Sequence, residues 1–123
     1  MTPKAPEQTL YVILMDVAAE DDEEFDRWND EEHIPERLSC PGFLRASRYR
    51  LAPEGRVRAA GDDSPRPRHL TIYELTGPEA LHTPEYAASA ASPTEWTKRM
   101  APRLNMLMRE CYVLETAAEA PAG

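Results

Sequence analysis

An unbroken apolar run, Leu-Tyr-Val-Ile-Leu-Met at residues 10–15, constrains the fold of this chain more than any other feature. The run is rich in strand-forming residues and therefore predicts a β-strand. Because successive side chains of a strand point to opposite faces of its sheet, both faces of this strand are apolar. Such a strand is usually central in its sheet and covered above and below. The sequence thus predicts a sheet with a packed layer on each side.

The chain after this strand carries the signals of a helix and of three more strands. Acidic residues 21–24 predict a helix start, because negative charge is favoured at a helix N-terminus. The helix is expected to reach about Ser39, with a break or kink near Pro35. A Pro-Gly pair at residues 41–42 then ends it. The further strands are expected at residues 43–51, 70–75 and 104–114.

The second helical region is expected in several pieces. Pro78 fits a first helical position, where an N–H is not needed, and a Thr-Pro pair at residues 83–84 restarts the helix. Residues 92–95, Ser-Pro-Thr-Glu, form a capping box and predict a further helix that carries Trp96 and Met100. The last strand is expected to place one set of apolar side chains on a single face: Leu104, Met106, Met108, Tyr112 and Leu114.

The resulting element order, β-α-β-β-α-β, is typical of a ferredoxin-like α+β sandwich, in which helices cover one face of a four-stranded antiparallel sheet. A second copy of the sheet is the simplest cover for the other face, which predicts a homodimer with a two-fold axis. We expect one domain at residues 9–115, with flexible Pro/Ala/Glu tails at 1–8 and 116–123. Residues 52–68 are expected to form a long, mobile hairpin loop.

Composition restricts the partners and the location of the protein. The 123 residues include 14 Lys and Arg against 22 Asp and Glu, a net charge of −8, which argues against nucleic acid or an anionic membrane as partner. No apolar run approaches the roughly 20 residues that span a bilayer. The first nine residues lack the layout of a signal peptide, so we expect a cytoplasmic protein. Cys40 and Cys111 are then expected as reduced, small buried residues.

The first helix breaks its own apolar pattern. If Phe25 and Trp28 face the sheet, the next inward positions are 29, 32, 33 and 36, and all four are polar. Such local failures are expected at functional sites. The alternatives are that the helix turns these residues to solvent, or that it frays near Pro35.

His33 is the best candidate for acid/base chemistry in this pattern, because the usual pKa of histidine lies near neutrality. Asn29 or Asp30, about one turn earlier, could fix its tautomer. His69 and His82 are more typical of surface histidines.

Aromatic, methionine and arginine side chains supply the other candidate ligand contacts. The aromatics and methionines are typical either of a cavity wall or simply of a small core. Arg48 and Arg109 fall in mid-strand and are candidate clamps for an enolate or a carboxylate; a structural pairing with Asp16 or Glu74 is the alternative. We predict His33, Arg48 and Tyr73 as catalytic residues, and as substrate-binding residues Trp28, Asn29, Tyr86, Trp96, Met100 and Arg109.

The sequence lacks the common motifs for binding a metal, a nucleotide or a dinucleotide, and for a serine nucleophile. The sequence has no His-x-x-x-His or His-x-His spacing, no P-loop, no Gly-x-Gly-x-x-Gly fingerprint and no Gly-x-Ser-x-Gly elbow. We therefore expect neither a metal site nor a cofactor. A metal- or haem-dependent enzyme remains a third alternative to the two functions given below.

One stretch of sequence is similar to a known superfamily. The segment Phe-Asp-Arg-Trp-Asn-Asp-Glu-Glu-His-Ile-Pro at residues 25–35, followed by Pro-Gly-Phe at 41–43 and Arg-Tyr at 48–49, resembles the dimeric α+β barrel superfamily, and its EthD-like members above all. Tyr-Glu-Leu at residues 73–75, Tyr86 and the segment at 96–100 fit the later part of such chains. The resemblance covers nearly the whole domain.

The superfamily includes cofactor-independent monooxygenases, polyketide cyclases, isomerases, dehydratases and haem-binding branches. The resemblance implies a homodimer with a pocket in each subunit between sheet and helices, and His33 as the histidine of the His-x-Pro segment. The expected function is cofactor-free proton transfer on a small cyclic, aromatic or polyketide-like substrate, in a cyclisation, isomerisation or dehydration. The alternative is a non-catalytic dimer that binds a small molecule or supports a partner enzyme.

Overall fold

A computed structural model of the protein describes residues 8–55, 57, 60–62 and 66–122. The predicted N-terminal tail lies almost entirely outside the described residues, and so do six of the seventeen residues of the predicted loop at 52–68. Residues 114–122 form no regular element and are exposed. No helix among the described residues is long and apolar enough to cross a membrane.

The described residues form four strands and the helices that cover them. The strands are β1 (Thr9–Asp16), β2 (Phe43–Arg50), β3 (His69–Leu75) and β4 (Asn105–Val113). The helices are α1 (Asp22–Trp28), α2 (Ile34–Leu38), α3 (Pro84–Ala91) and α4 (Glu95–Met100), with a π-helical turn at Asn29–His33 and a 3₁₀ turn at Pro78–His82. The antiparallel sheet has the order β2-β3-β1-β4, so the apolar strand is central, and the predicted ferredoxin-like α+β architecture is confirmed.

The core lies between one face of the sheet and the helices. Alternate residues of β1, among them Tyr11 and Ile13, are buried there together with Phe25, Trp28 and Tyr73. The other face of β1 is apolar but only half-buried; it carries Leu10, Val12 and Leu14. The helices therefore cover one of the two apolar faces.

A β-bulge in β4 changes which of its side chains face the core. Met15 pairs with Met106 and Leu14 pairs with Met108, so Leu107 is an extra residue on β4. The bulge separates Met106, which lies on the helix-covered face, from Met108 on the open face. The prediction of one continuous apolar face along β4 was therefore wrong, because simple alternation does not anticipate an inserted residue.

The predicted break in the first helix lies earlier than Pro35. The N–H of Ile34 donates to the carbonyl of Asn29, five residues back, and this closes the π-helical turn. Pro35 follows inside α2. Because its ring has no N–H and crowds the carbonyl four residues back, the wider turn just before it accommodates the proline without ending the helix.

The cap of α4 also differs from the prediction. Thr94, rather than Ser92, is the N-cap, and its hydroxyl accepts a hydrogen bond from the Thr97 N–H at 3.1 Å. Ser92 instead ends α3, and Pro93 restricts its backbone. At the other end of α3 the prediction is confirmed, since Thr83 caps it by accepting the Tyr86 N–H at 3.0 Å.

Candidate functional site

A cavity of about 130 Å³ lies between the sheet and the helices. Side chains from β1, β3 and β4 form its floor, and side chains from α1, the π-helical turn, α2, α3 and α4 form its walls. Its lining is Tyr11, Ile13, Met15, Trp28, His33, Arg37, Tyr73, Tyr86, Thr97, Leu104, Met106 and Arg109. A cavity of roughly 150 Å³ accepts a benzene-sized molecule, so this one fits a single small ring.

His33 is the last residue of the π-helical turn and lines this cavity. Its imidazole stacks on the indole of Trp28, with ring centroids 4.3 Å apart and planes 18° from parallel. The imidazole makes no hydrogen bond to any residue that the structure describes. Burial, helped by the nearby Arg37 cation, lowers the pKa of His33 from 6.5 to about 4. The ring is therefore neutral at neutral pH.

A chain of hydrogen bonds fixes the indole beneath His33. The Trp28 Nε1–H donates to Thr97 Oγ1 at 3.1 Å, and Thr97 Oγ1 lies 3.1 Å from Thr94 Oγ1. Thr94 in turn donates to a carboxylate oxygen of Glu32 at 2.7 Å. Glu32 is thus neither a ligand-facing group nor a merely solvated one, because it ties the π-helical turn to the start of α4.

Three tyrosines supply hydroxyl groups to the cavity. Burial raises the pKa values of Tyr11 and Tyr73 well above their usual range, and the neighbouring Tyr86 hydroxyl raises that of Tyr11 further. The Tyr11 and Tyr73 rings stack with centroids 6.0 Å apart. These phenols therefore keep their protons at neutral pH.

Two arginines give the cavity its charge. Arg37 donates to Ser89 Oγ at 2.8 Å, lies 3.5 Å from the Glu36 carboxylate and sits over the Tyr86 ring. Arg109 makes neither a hydrogen bond nor an ion pair with any described residue. No Asp or Glu belongs to the described lining. The cavity is therefore cationic, although the chain as a whole carries a net charge of −8.

Arg48 points to the helix-covered face, as its mid-strand position predicts, but it lies outside this cavity. Its guanidinium lies 2.7 Å from the Asp26 carboxylate and 3.4 Å from that of Asp30. Neither partner is one of the two carboxylates considered for it. β2 is an edge strand beside β3, so an inward arginine there meets α1 rather than the cavity wall beside β4.

Three further predicted contacts are also outside the lining. Asn29 is buried and donates to the Phe25 carbonyl at 3.1 Å. The Trp96 Nε1–H donates to Glu24 of α1 at 3.1 Å. Met100 is fully buried in the core. Of the nine predicted site residues, the cavity brings together five: Trp28, His33, Tyr73, Tyr86 and Arg109.

The prediction for His69 was wrong, because this histidine is buried rather than on the surface. It is 4% exposed, packs against Phe25 and forms a 3.0 Å contact from Nε2 to an Asp22 carboxylate oxygen. Arg68 binds the same carboxylate at 2.6 Å and Asp16 at 2.8 Å. The Arg68 guanidinium holds the pKa of Asp22 below its usual range. This cluster ties α1 to the start of β3.

Sequence reasoning missed several wall residues that carried a readable signal. Tyr11 and Ile13 alternate with the open-face residues of β1, so their inward direction follows from the strand period. Arg37 lies one helical turn after His33. Among the described residues, no three His, Cys, Asp or Glu side chains come close enough together to hold a metal ion.

The sequence itself matches no family model and no curated protein. Solved structures are similar in fold. A dimeric ferredoxin-like protein from an uncultured marine organism gives a TM-score of 0.58 at 14% identity, with 93% of this chain and 100% of that chain covered. HapK from Hahella chejuensis gives 0.52 at 13% identity, with 95% and 98% covered.

An EthD (ethyl tert-butyl ether D) family protein from Bacillus halodurans gives a TM-score of 0.51 at 15% identity. The match covers 90% of this chain and 99% of that chain. The chain therefore has the ferredoxin-like α+β fold of these proteins, and its resemblance to the dimeric α+β barrel superfamily, including an EthD protein, is confirmed at the level of the fold.

Proposed function

We propose that this protein is a cofactor-independent enzyme that transfers a proton on a small cyclic, aromatic or polyketide-like substrate. The observation that carries the proposal is the neutral imidazole of His33, stacked on Trp28 at the wall of an aromatic cavity. A ring-sized apolar cavity with a few polar groups is typical of small-molecule sites. Cyclisation, isomerisation and dehydration are the reactions that such a site serves without a cofactor.

In this mechanism the free nitrogen of His33 accepts a proton from a carbon next to a substrate carbonyl. The electron pair of the broken C–H bond moves to the carbonyl oxygen and forms an enolate. The Tyr73 and Tyr86 hydroxyls and the Arg109 guanidinium donate hydrogen bonds to that oxygen. The imidazolium then returns the proton to another carbon, which isomerises the substrate, or to a leaving hydroxyl, which releases water.

We also propose that the protein works as a homodimer in the cytoplasm. The uncovered sheet face carries the half-buried Leu10, Val12 and Leu14 and the exposed Tyr49 and Tyr112, an apolar surface that a second sheet would cover. The similarity to a dimeric ferredoxin-like protein from an uncultured marine organism supports this arrangement. Light scattering should give twice the chain mass of 13.9 kDa, and a Val12→Lys variant should give the single mass. A wild-type monomer would contradict the dimer.

The experiment that tests the activity measures proton exchange. Acetophenone, indanone and cyclohexanone are incubated in deuterium oxide with the protein, and loss of the protons next to the carbonyl is followed by NMR. Wild-type protein should accelerate the exchange of at least one ketone, and His33→Gln should abolish the acceleration. His82→Gln, an exposed histidine outside the cavity, is the matched control and should retain it. No acceleration by the wild-type protein, or full acceleration by His33→Gln, would contradict the proposal.

One observation favours the non-catalytic alternative. A histidine whose pKa is about 4 is a weak base, so the same cavity would also suit a protein that only holds its ligand. In that case none of the ketones exchanges faster, whereas ligand binding survives in His33→Gln and is lost in Trp28→Ala.

A further inference from the structure

We infer that the ligand of the His33 cavity is a planar ring that carries a negatively charged oxygen group, and that this group binds at Arg109. The inference rests on the proposed function only in its choice of site. It adds the charge and the orientation of the ligand, neither of which proton transfer by itself requires.

The first support is the charge of the wall. Arg37 and Arg109 are the two cationic side chains of the described lining, and no described carboxylate faces them across the cavity. Arg37 is partly satisfied by Ser89 and Glu36. Arg109 is exposed and has no such partner among the described residues, so its guanidinium can form a two-pronged contact with a carboxylate.

The second support is the position of Arg109 at the edge of the cavity. An open depression of about 410 Å³ adjoins the cavity and shares Tyr11, Tyr86 and Arg109 with it. The shared residues form the boundary between a partly enclosed space of ring size and a more open one. A ring inside the cavity therefore presents one edge to Arg109, and any larger substituent extends into the depression. Glu110 borders that depression but not the cavity, and so leaves the ring site cationic.

The third support comes from the other polar groups around the ring site. The buried phenols of Tyr11 and Tyr73 keep their protons, so neither carries a negative charge that would repel an oxygen anion. His33 is neutral in the free protein, partly because Arg37 disfavours its charged form. An anion beside Arg37 and Arg109 offsets that repulsion and raises the pKa of His33. An anionic ligand thus makes the imidazole a stronger base when it is bound.

The test compares two probes of nearly equal shape, benzoate and benzamide, by isothermal titration calorimetry. Wild-type protein should bind benzoate about 10- to 100-fold more tightly than benzamide, because a charge-assisted contact to Arg109 is lost in the amide. Arg109→Gln should remove this preference, chiefly by weakening the binding of benzoate. Arg99→Gln, the same substitution at an exposed position of α4 outside the cavity, should keep the preference.

Equal binding of the two probes by wild-type protein would overturn the inference, as would a preference that survives Arg109→Gln or a failure of both probes to bind. The proposed proton transfer is judged separately, from ketone exchange by wild-type and His33→Gln protein. Benzoate selectivity without exchange supports the charge of the ligand and rejects the catalysis. Exchange without selectivity does the reverse.

Discussion

Two histidines lie between the sheet and the helices, each packed against an aromatic ring. They differ in their hydrogen-bond partners. His69 packs on Phe25 with Nε2 bound to Asp22, and the arginines beside it are paired with carboxylates. His33 stacks on Trp28 without a hydrogen bond to any described residue, and the Arg109 that lines the same cavity also has no partner among the described residues. Polar groups that find partners inside the protein stabilise the fold, whereas polar groups at a cavity wall that lack such partners are available to a ligand.

The largest contrast should appear when each histidine is replaced in turn. His33→Gln should reduce ketone exchange by roughly 100- to 10,000-fold, the usual contribution of a general base, and should change the unfolding free energy little. His69→Gln should lower the melting temperature and leave the exchange rate per folded molecule intact. Chemical denaturation measures the change in stability, and NMR of the ketone in deuterium oxide measures the exchange rate, both on the same protein samples. If fully folded His69→Gln protein also lost ketone exchange, the assignment of a purely structural role to His69 would be contradicted.

The unfolding free energy should depend on pH in different ranges for the His33 site and for the Asp22–His69 cluster. The folded-state pKa of His33, about 4, lies below its unfolded value of 6.5, so the unfolded chain binds the proton first as the pH falls. Wild-type protein should therefore lose about 3 kcal/mol between these two pH values. Asp22, whose folded pKa is depressed below 3.8, adds its loss only at lower pH. A His33→Gln variant with an unchanged slope in denaturant titrations above pH 4 would contradict this assignment.

A smaller effect is expected when the charge pairs are broken. Asp22→Asn weakens the contacts to both Arg68 and His69 and should cost about 1–3 kcal/mol of unfolding free energy. Arg109→Gln should stay within about 0.5 kcal/mol of wild type, because no described partner is lost. Urea denaturation of both variants measures the difference. Equal losses would mean that Arg109 has a structural partner after all.

The smallest effect concerns the two helix caps. Thr94→Val and Thr83→Val should each cost about 1 kcal/mol, the usual value of an N-cap. Only Thr94→Val also breaks the chain from Glu32 to the Trp28 indole, so only this variant should shift the tryptophan emission. A shift in both variants, or in neither, would remove Thr94 from the positioning of Trp28.

The fold was predictable because its signals are local and repeated. The apolar run of β1, the acidic start of the first helix and the Pro-Gly turn at residues 41–42 together set the element order. The features that were not predicted correctly each depend on a single residue. One inserted residue in β4 turned Met108 away from the core, and the placement of α4 required a cap at Thr94 instead of Ser92.

The candidate site was predictable only in part for a related reason. The inward direction of His33 followed from a broken apolar pattern, since polar residues at core positions are readable in sequence. The ion-pair partner of an arginine cannot be predicted from the sequence pattern in this way. Arg48 and Arg109 are both mid-strand, yet one strand lies beside α1 with its Asp26 and the other borders the cavity. Which charge is paired and which is free depends on the neighbouring strand order, which is a tertiary property.

The environment of the His33 ring is measured most directly by NMR titration of its imidazole Cε1–H signal, assigned by its disappearance in His33→Gln. We predict titration near pH 4 in the free protein, with an upward shift when benzoate is added. Titration near 6.5, unaffected by benzoate, would place the ring in water and contradict both the cavity and the chemistry derived from it.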